Sequence, residues 1–93
     1  MNRNKSDKIS KISAILALQN NSNDIENFII EMLTESELET LSKRWQILEM
    51  LSEGKTQREI SKDLSVSLFK VTRGAKILKN QKSKIAQYFK KGE

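Results

Sequence analysis

Apolar residues recur along most of this chain at intervals of three or four positions, the spacing of one face of an α-helix. The clearest run lies between Leu38 and Leu51, where large apolar side chains return at that interval. Proline is absent and glycine occurs three times, whereas strands joined by tight turns usually need more of both. The pattern predicts an all-α fold of about six helices.

Capping signals divide this pattern into separate helices. Thr34-Glu35-Ser36-Glu37 and Thr56-Gln57-Arg58-Glu59 have the spacing of capping boxes, and Gly54 is a natural residue to end the helix between them. Asn23 and Glu26 predict the start of an earlier helix, and Ser67 is predicted to cap the helix that begins at residue 68. The predicted helices cover about residues 7–19, 23–33, 34–53, 56–64, 68–79 and 83–91.

Length and composition favour a single small binding domain over residues 1–93, with a polar tail over residues 1–6. The chain has neither cysteine nor histidine, so it lacks the usual metal ligands and the usual general base, and we predict no metal site and no enzyme. No apolar run approaches the roughly 18–20 residues that span a bilayer, and the start lacks the apolar core of a signal peptide. These features predict a cytoplasmic protein with no membrane partner.

Charge is distributed unevenly in a chain whose net charge is +5. From Leu68 to Gly92 there are eight Lys or Arg residues and no acid, while Asp24 to Glu39 holds six acids and no base. The basic half is expected to attract a polyanion.

Residues 56–79 fit a helix-turn-helix. Such a motif needs apolar contacts where its helices cross, a small residue early in the first helix and a tight turn. Ile60 and Val71 fill the apolar positions, Ser61 is the small residue, and Ser65 lies in the turn, where glycine is commoner.

The second helix of this motif has two faces. Leu68 and Val71 are expected to point inward with Ala75 and Leu78, and Phe69 and Lys70 are expected to meet base edges in the major groove of duplex DNA. The start of the first helix suits a backbone phosphate. The candidate DNA-binding residues are Gln57, Arg58, Leu68, Phe69, Lys70, Thr72, Arg73, Lys76 and Lys79.

Gly74 departs from the motif, because a glycine within a helix costs roughly 0.5–1 kcal/mol relative to alanine. Two explanations stay open at this point. Either a ligand approaches the backbone closely, or another helix crosses there.

Taken together, Leu33-Thr34, Arg44, Gly54, Gln57-Arg58-Glu59 and Val71-Thr72-Arg73-Gly74 resemble the Trp repressor family, most clearly over about residues 33–79. The resemblance implies six helices in an intertwined homodimer whose helix-turn-helix motifs bind a two-fold DNA operator. It implies L-tryptophan as corepressor. The effector residues implied are Thr34, Arg44, Arg73 and Gly74.

Several residues depart from the family pattern. Lys70 and Ile77 stand where the best-known members have small residues near the ligand, Glu31 replaces an apolar residue, and the loop after Gly54 is one residue shorter. These departures leave fold and DNA binding in place but leave the identity and the existence of the effector open.

An independent argument also predicts a dimer, with a core over about residues 7–53 and 83–91. A short chain buries only a modest core. The chain has more large apolar residues than a two-helix DNA-binding motif buries. They include Phe28, Ile29, Trp45, Leu48, Met50 and Tyr88.

Alternative functions remain at this point. One alternative is an effector-independent DNA-binding regulator of the same fold, with Arg44 and Arg73 paired to acids such as Glu37 or Glu49. It is also compatible with a protein-interaction module that uses the acidic stretch from Asp24 to Glu39, or with the DNA-binding piece of a transposase.

Overall fold

The computed structural model describes residues 3–91, with side chains from residue 7 onward. The described residues form six α-helices and no strand, which confirms the prediction of an all-α fold. The helices are α1 (Arg3–Ala17), α2 (Ser22–Met32), α3 (Glu35–Ser52), α4 (Gln57–Leu64), α5 (Leu68–Lys79) and α6 (Lys84–Lys91). None of these helices is long and apolar enough to cross a membrane.

Local hydrogen bonds explain most helix ends. At the start of α3, the Thr34 hydroxyl accepts from the Glu37 N–H at 3.2 Å, and the Glu37 carboxylate accepts from the Thr34 N–H at 2.9 Å. This is the predicted reciprocal capping box. Beyond the other end of α3, Gly54 adopts a φ of +91°, in the left-handed region that glycine tolerates best.

Two predicted boundaries were wrong. Helix α1 begins at Arg3, so part of the predicted polar tail is helical, and residues 1 and 2 lie outside the described range. Nothing in that stretch is a proline or glycine that would stop a helix. The cap of α2 is Asn21, whose side chain accepts from the Asp24 N–H at 2.9 Å, and not Asn23.

The described residues fall into two compact units, one up to Leu38 and one from Glu39 onward. In the first unit, no residue from 7 to 38 is buried within the single chain. Several of its large apolar side chains are more than half exposed, among them Ile9, Leu18 and Met32. Within this unit alone, helices α1 and α2 have apolar faces but no core of their own.

The second unit has a small core. Ile47, Ile60 and Val71, one each from α3, α4 and α5, form its buried cluster, and Leu51 and Leu64 pack beside them. Leu48 is 5% exposed, so it is not one of the surplus apolar residues that the dimer prediction counted.

Helix α6 meets α3 through three aromatic rings in this second unit. Trp45 stacks on Phe89 with ring centroids 5.2 Å apart, and Tyr88 lies 5.8 Å from Trp45. Trp45 and Tyr88 both remain exposed in the single chain. The prediction of one domain with a dimer core over residues 7–53 and 83–91 stays a prediction.

Candidate nucleic-acid interface and effector cavity

The contact between α4 and α5 gives the helix-turn-helix its geometry. Ile60 and Val71 are each 0% exposed, which places both predicted apolar anchors at the centre of the motif. Ser65 ends α4 in the left-handed conformation, with a φ of 53°. Across the turn, the Ser61 hydroxyl donates to the Val66 carbonyl at 2.6 Å. The turn therefore holds α5 in a fixed position on α4, although serine replaces the commoner glycine.

The outer face of α5 is cationic and open to solvent. Phe69 is 80% exposed, and Lys70, Arg73, Lys76 and Lys79 are exposed as well. Helices α5 and α6 carry no acid, and within the described side chains the ion pair that forms is Lys43 with Glu39, at 3.9 Å. The positive charge of α5 is thus not neutralised by described residues.

Two candidate DNA-contacting residues differ from the prediction in how far they are buried. Leu68, expected to point inward, is 47% exposed, because it is the first residue of α5 and lies outside the buried cluster. Thr72, expected on the open face, is half-buried, and its hydroxyl has acceptors in Gln57 Oε1 at 2.8 Å and the Leu68 carbonyl at 3.0 Å. The bond to Gln57 joins the start of α4 to α5, while Arg58 beside it remains exposed.

A cavity of about 260 Å³ lies between α3 and α5, and three residues of the exposed cationic face, Phe69, Lys70 and Arg73, form part of its wall. Helix α3 supplies residues spaced by three and four positions, and so does α5, so each helix presents one face. Ser67 and Phe69 complete the lining at the start of α5. The lining residues are Arg44, Ile47, Leu48, Ser67, Phe69, Lys70, Arg73, Gly74 and Ile77.

The structure brings three of the four predicted effector residues, Arg44, Arg73 and Gly74, to this cavity. Thr34 belongs to the other unit, where it caps α3, and its place beside an effector stays a prediction. From the sequence, Ser67 was predicted only as a helix cap and Phe69 only as a DNA contact, so neither was expected to line the cavity. The spacing of three and four positions places Lys70, Arg73, Gly74 and Ile77 on one face of α5. This spacing was the feature of the sequence that could have indicated a common cavity wall.

Arg44 and Arg73 form no ion pair and no side-chain hydrogen bond with any described residue. The alternative pairing with Glu49 is therefore not formed among the described residues, and the alternative pairing with Glu37, which belongs to the other unit, stays a prediction. Both arginines are exposed in the single chain.

Gly74 is buried where α5 crosses α3. A Cβ at this position would lie 3.0 Å from Ile47 Cγ2, 3.3 Å from Leu51 Cδ1 and 3.7 Å from Leu48 Cδ2. The helix crossing, one of the two explanations left open by the sequence, therefore accounts for the glycine. Gly74 also lines the cavity, so the same close approach shapes its wall.

Helices α4 and α5 form a two-helix motif, and the positive charge of α5 has no acidic partner among the described residues. A small cavity lies beside α5. Together these features define a helix-turn-helix protein of the kind that binds DNA. Comparison with known families then identifies which kind. The family model described as Trp repressor protein matches residues 7–93, and the chain belongs to the Trp repressor family. This is a family of transcriptional regulators and not of enzymes, in line with the prediction for this chain.

The names of similar proteins support this family assignment. Three proteins named Trp operon repressor homolog, from Xylella fastidiosa strains M23, Temecula1 and 9a5c, are each 37% identical to the chain over 71 residues. The matched stretch is 75% of this chain and 77% of each relative. No solved structure matches the chain.

The crossing at Gly74 gives a testable stability prediction. Gly74→Val places methyl groups against Ile47 and Leu51, and such overpacking is expected to lower the free energy of unfolding by about 1–3 kcal/mol. Gly74→Ala is expected to change it by less than about 1 kcal/mol, because gained helix propensity offsets the crowding. Urea unfolding at fixed protein concentration measures both changes.

The variant Ile47→Ala supplies the control for that prediction. Because Ile47 holds the nearest atom, the cost of Gly74→Val is expected to shrink by at least about 0.5 kcal/mol in the Ile47→Ala background. If the losses of unfolding free energy from Gly74→Val and Ile47→Ala were strictly additive, the two residues would not contact each other.

Proposed function

We propose that this protein is a homodimeric transcriptional repressor that binds a two-fold DNA operator through α5 and responds to a small amino-acid effector such as L-tryptophan. The observation that carries the proposal is the exposed cationic face of α5, held by a buried core and left without acidic partners in the described residues. The family and the names of the relatives support the same role.

DNA reading is assigned to the start of α5. In the major groove the N-terminal residues of the second helix meet base edges, so Phe69 contacts a thymine methyl group and Lys70 a guanine edge. Arg73, Lys76 and Lys79 follow along the exposed side and contact phosphates. At the start of α4, Arg58 meets the backbone, and Gln57 is oriented by Thr72.

Dimer formation follows from the N-terminal unit. Residues 7–38 hold many exposed apolar side chains and no buried residue, so α1 and α2 do not exclude water from a core by themselves. A second copy supplies matching apolar faces and buries them. It also places two α5 helices about one DNA turn apart, roughly 34 Å, as a two-fold operator requires.

The effector is assigned to the cavity between α3 and α5. Its volume of about 260 Å³ lies just below the range of roughly 300–1,000 Å³ typical of ligand pockets, and it suits one small molecule. Arg44 and Arg73 offer planar cations to a carboxylate or a ring, over a floor that includes Ile47 and Leu48. Thr34 completes the effector set by family resemblance.

Salt dependence tests the DNA-binding part of the proposal. Each neutralised phosphate contributes about −0.9 to the slope of log affinity against log salt concentration, so duplex affinity is expected to fall steeply as salt rises. Lys76→Gln removes one phosphate contact per copy and is expected to flatten the slope by about 2 in the dimer. Fluorescence anisotropy with a labelled random-sequence duplex measures both slopes.

Lys11→Gln is the matched control, because it removes the same charge from an exposed site in the N-terminal unit. For Lys11→Gln, the slope of log affinity against log salt concentration is expected to equal that of the parent protein. An affinity that does not change with salt, or an equal loss of slope in both variants, contradicts the assignment of α5 to DNA.

The effector part is tested by selecting a preferred duplex and measuring its affinity with and without L-tryptophan. Because the cavity and the DNA-reading face share α5, the amino acid is expected to raise affinity by about fivefold or more, a usual size for coupled sites. No change at millimolar L-tryptophan would favour an effector-independent regulator and would leave DNA binding intact.

A further inference from the structure

Helix α6 carries positive charge that the DNA assignment of α5 does not use. Lys82, in the connection from α5, and three lysines of α6, Lys84, Lys90 and Lys91, are all exposed. No Asp or Glu occurs between residues 68 and 92, and none of these four lysines forms an ion pair with a described residue. The four lysines are named the α6 patch below.

The packing of α6 turns the patch away from the core. Ala86 is buried, and Phe89 stacks on Trp45 of α3 with ring centroids 5.2 Å apart. Lys84 and Lys91 are seven positions apart, two turns of a helix, so they share the side of α6 opposite to these contacts. Because one side of α6 is used for packing, its charged side is left to solvent or to a partner.

Two hydrogen bonds order the connection that precedes α6. Asn80 Oδ1 accepts from the Lys82 N–H at 3.0 Å. The Gln87 side chain donates to the Gln81 carbonyl at 3.2 Å, which joins the connection to α6. The backbone of Lys82 is therefore held beside the first turn of α6, and the patch is presented by an ordered segment.

A simple solvated face explains only part of this charge. Lys90 and Lys91 lie in the last turn of α6, where the helix dipole favours cations. Lys84 lies in the first turn, which contains no acid, and there the dipole disfavours a cation. A bound anion relieves both this penalty and the repulsion between neighbouring lysines. The arrangement therefore suits a polyanion.

Duplex DNA is the polyanion that best fits this surface. Lysines bind phosphates as flexible point charges and carry no sequence information. A helix that lies on a membrane needs an exposed apolar side, whereas the apolar side of α6 packs on α3 through Phe89. DNA is also the partner proposed for α5, so phosphates are abundant wherever the protein binds its operator.

The patch begins at the end of α5 that is remote from the proposed base contacts. Phe69 and Lys70 lie in the first turn of α5, and Lys79 is its last residue. At 1.5 Å per residue, these two ends are about 15 Å apart. A straight duplex that receives the start of α5 lies beyond that end, and bending it back toward α6 costs energy. A second duplex reaches the patch without bending.

We propose that the α6 patch binds the phosphates of a second DNA duplex while α5 reads the first, so that one dimer bridges two duplex segments. This inference goes beyond the proposed function and rests on it for the first duplex and for the dimer. The second contact is independent of DNA sequence and of any effector.

A capture assay tests the inference with the full chain. One duplex is tethered to a surface, protein is bound to it, unbound protein is washed away, and a fluorescent duplex of unrelated sequence is then added. At roughly 50 mM salt the parent protein is expected to capture the fluorescent duplex, and capture is expected to weaken steeply as salt rises, because each neutralised phosphate releases counterions.

The double variant Lys84→Gln, Lys91→Gln assigns capture to α6. It removes two contacts per copy and four per dimer, so affinity for the second duplex is expected to fall at least about tenfold and its salt slope to flatten by about 3–4. Affinity for a single trace duplex, measured by fluorescence anisotropy, is expected to change less than about twofold, because α5 is intact. Circular dichroism confirms that the helices are kept.

The double variant Lys8→Gln, Lys11→Gln is the matched control, because it removes the same charge from exposed residues of the N-terminal unit. Its capture of the second duplex is expected to match that of the parent protein. An equal loss of capture in this control and in the α6 variant overturns the inference, because net charge alone then accounts for the effect.

The remaining outcomes separate this inference from the proposed function. If the parent protein binds the tethered duplex but captures no second one, or if the α6 variant still captures it, the inference is overturned and the DNA assignment of α5 stands. If the α6 variant loses about as much affinity for the single duplex as for the second, the patch contacts the first duplex, which also overturns bridging. A parent protein that does not bind the tethered duplex contradicts both.

Discussion

The close crossing of α5 over α3 is the contact on which the second unit depends. Because Gly74 has no Cβ, Ile47 approaches the α5 backbone directly, and Ile60 and Val71 complete the buried cluster. Burying side chains of this size contributes about 1.5–3 kcal/mol each. One small core therefore sets the position of the helix that carries the exposed cations.

The same contact joins two surfaces on a single helix. One side of α5 lines the cavity, while Lys76 and Lys79 lie outside the cavity and are exposed to solvent. Arg73 lies on the cavity wall and is exposed, and it is also one of the residues proposed to contact DNA. In the proposed function, an effector in this cavity would contact the same helix that reads DNA, and the differential contacts that allosteric control requires would arise there.

Features that depend on residues a few positions apart were predicted better from the sequence than features that depend on residues far apart in the chain. The box at Thr34 and the cap at Ser67 were predicted correctly because their bonds join residues three positions apart. The run around Asn21 contains several residues that can cap a helix, and the predicted cap, Asn23, was wrong because Asn21 caps α2. Leu68 has the right spacing for the inner face, but its position at the helix start leaves it outside the core.

The candidate site was predictable in part for the same reason. Arg44, Arg73 and Gly74 were named from the family resemblance, and they do line one cavity. What packs against Gly74 depends on a neighbour more than twenty positions away, and no local pattern identifies it. The bond between Thr72 and Gln57 likewise appears only once the two helices are placed together.

The central claim is that two copies of this chain present their α5 helices together to one DNA site. The most direct test is the mass, by sedimentation, of the complex formed with a duplex enriched from a random library. The account predicts two copies of the chain on an inverted repeat whose half-sites lie about 10 base pairs apart. A single copy bound to one asymmetric site would contradict it.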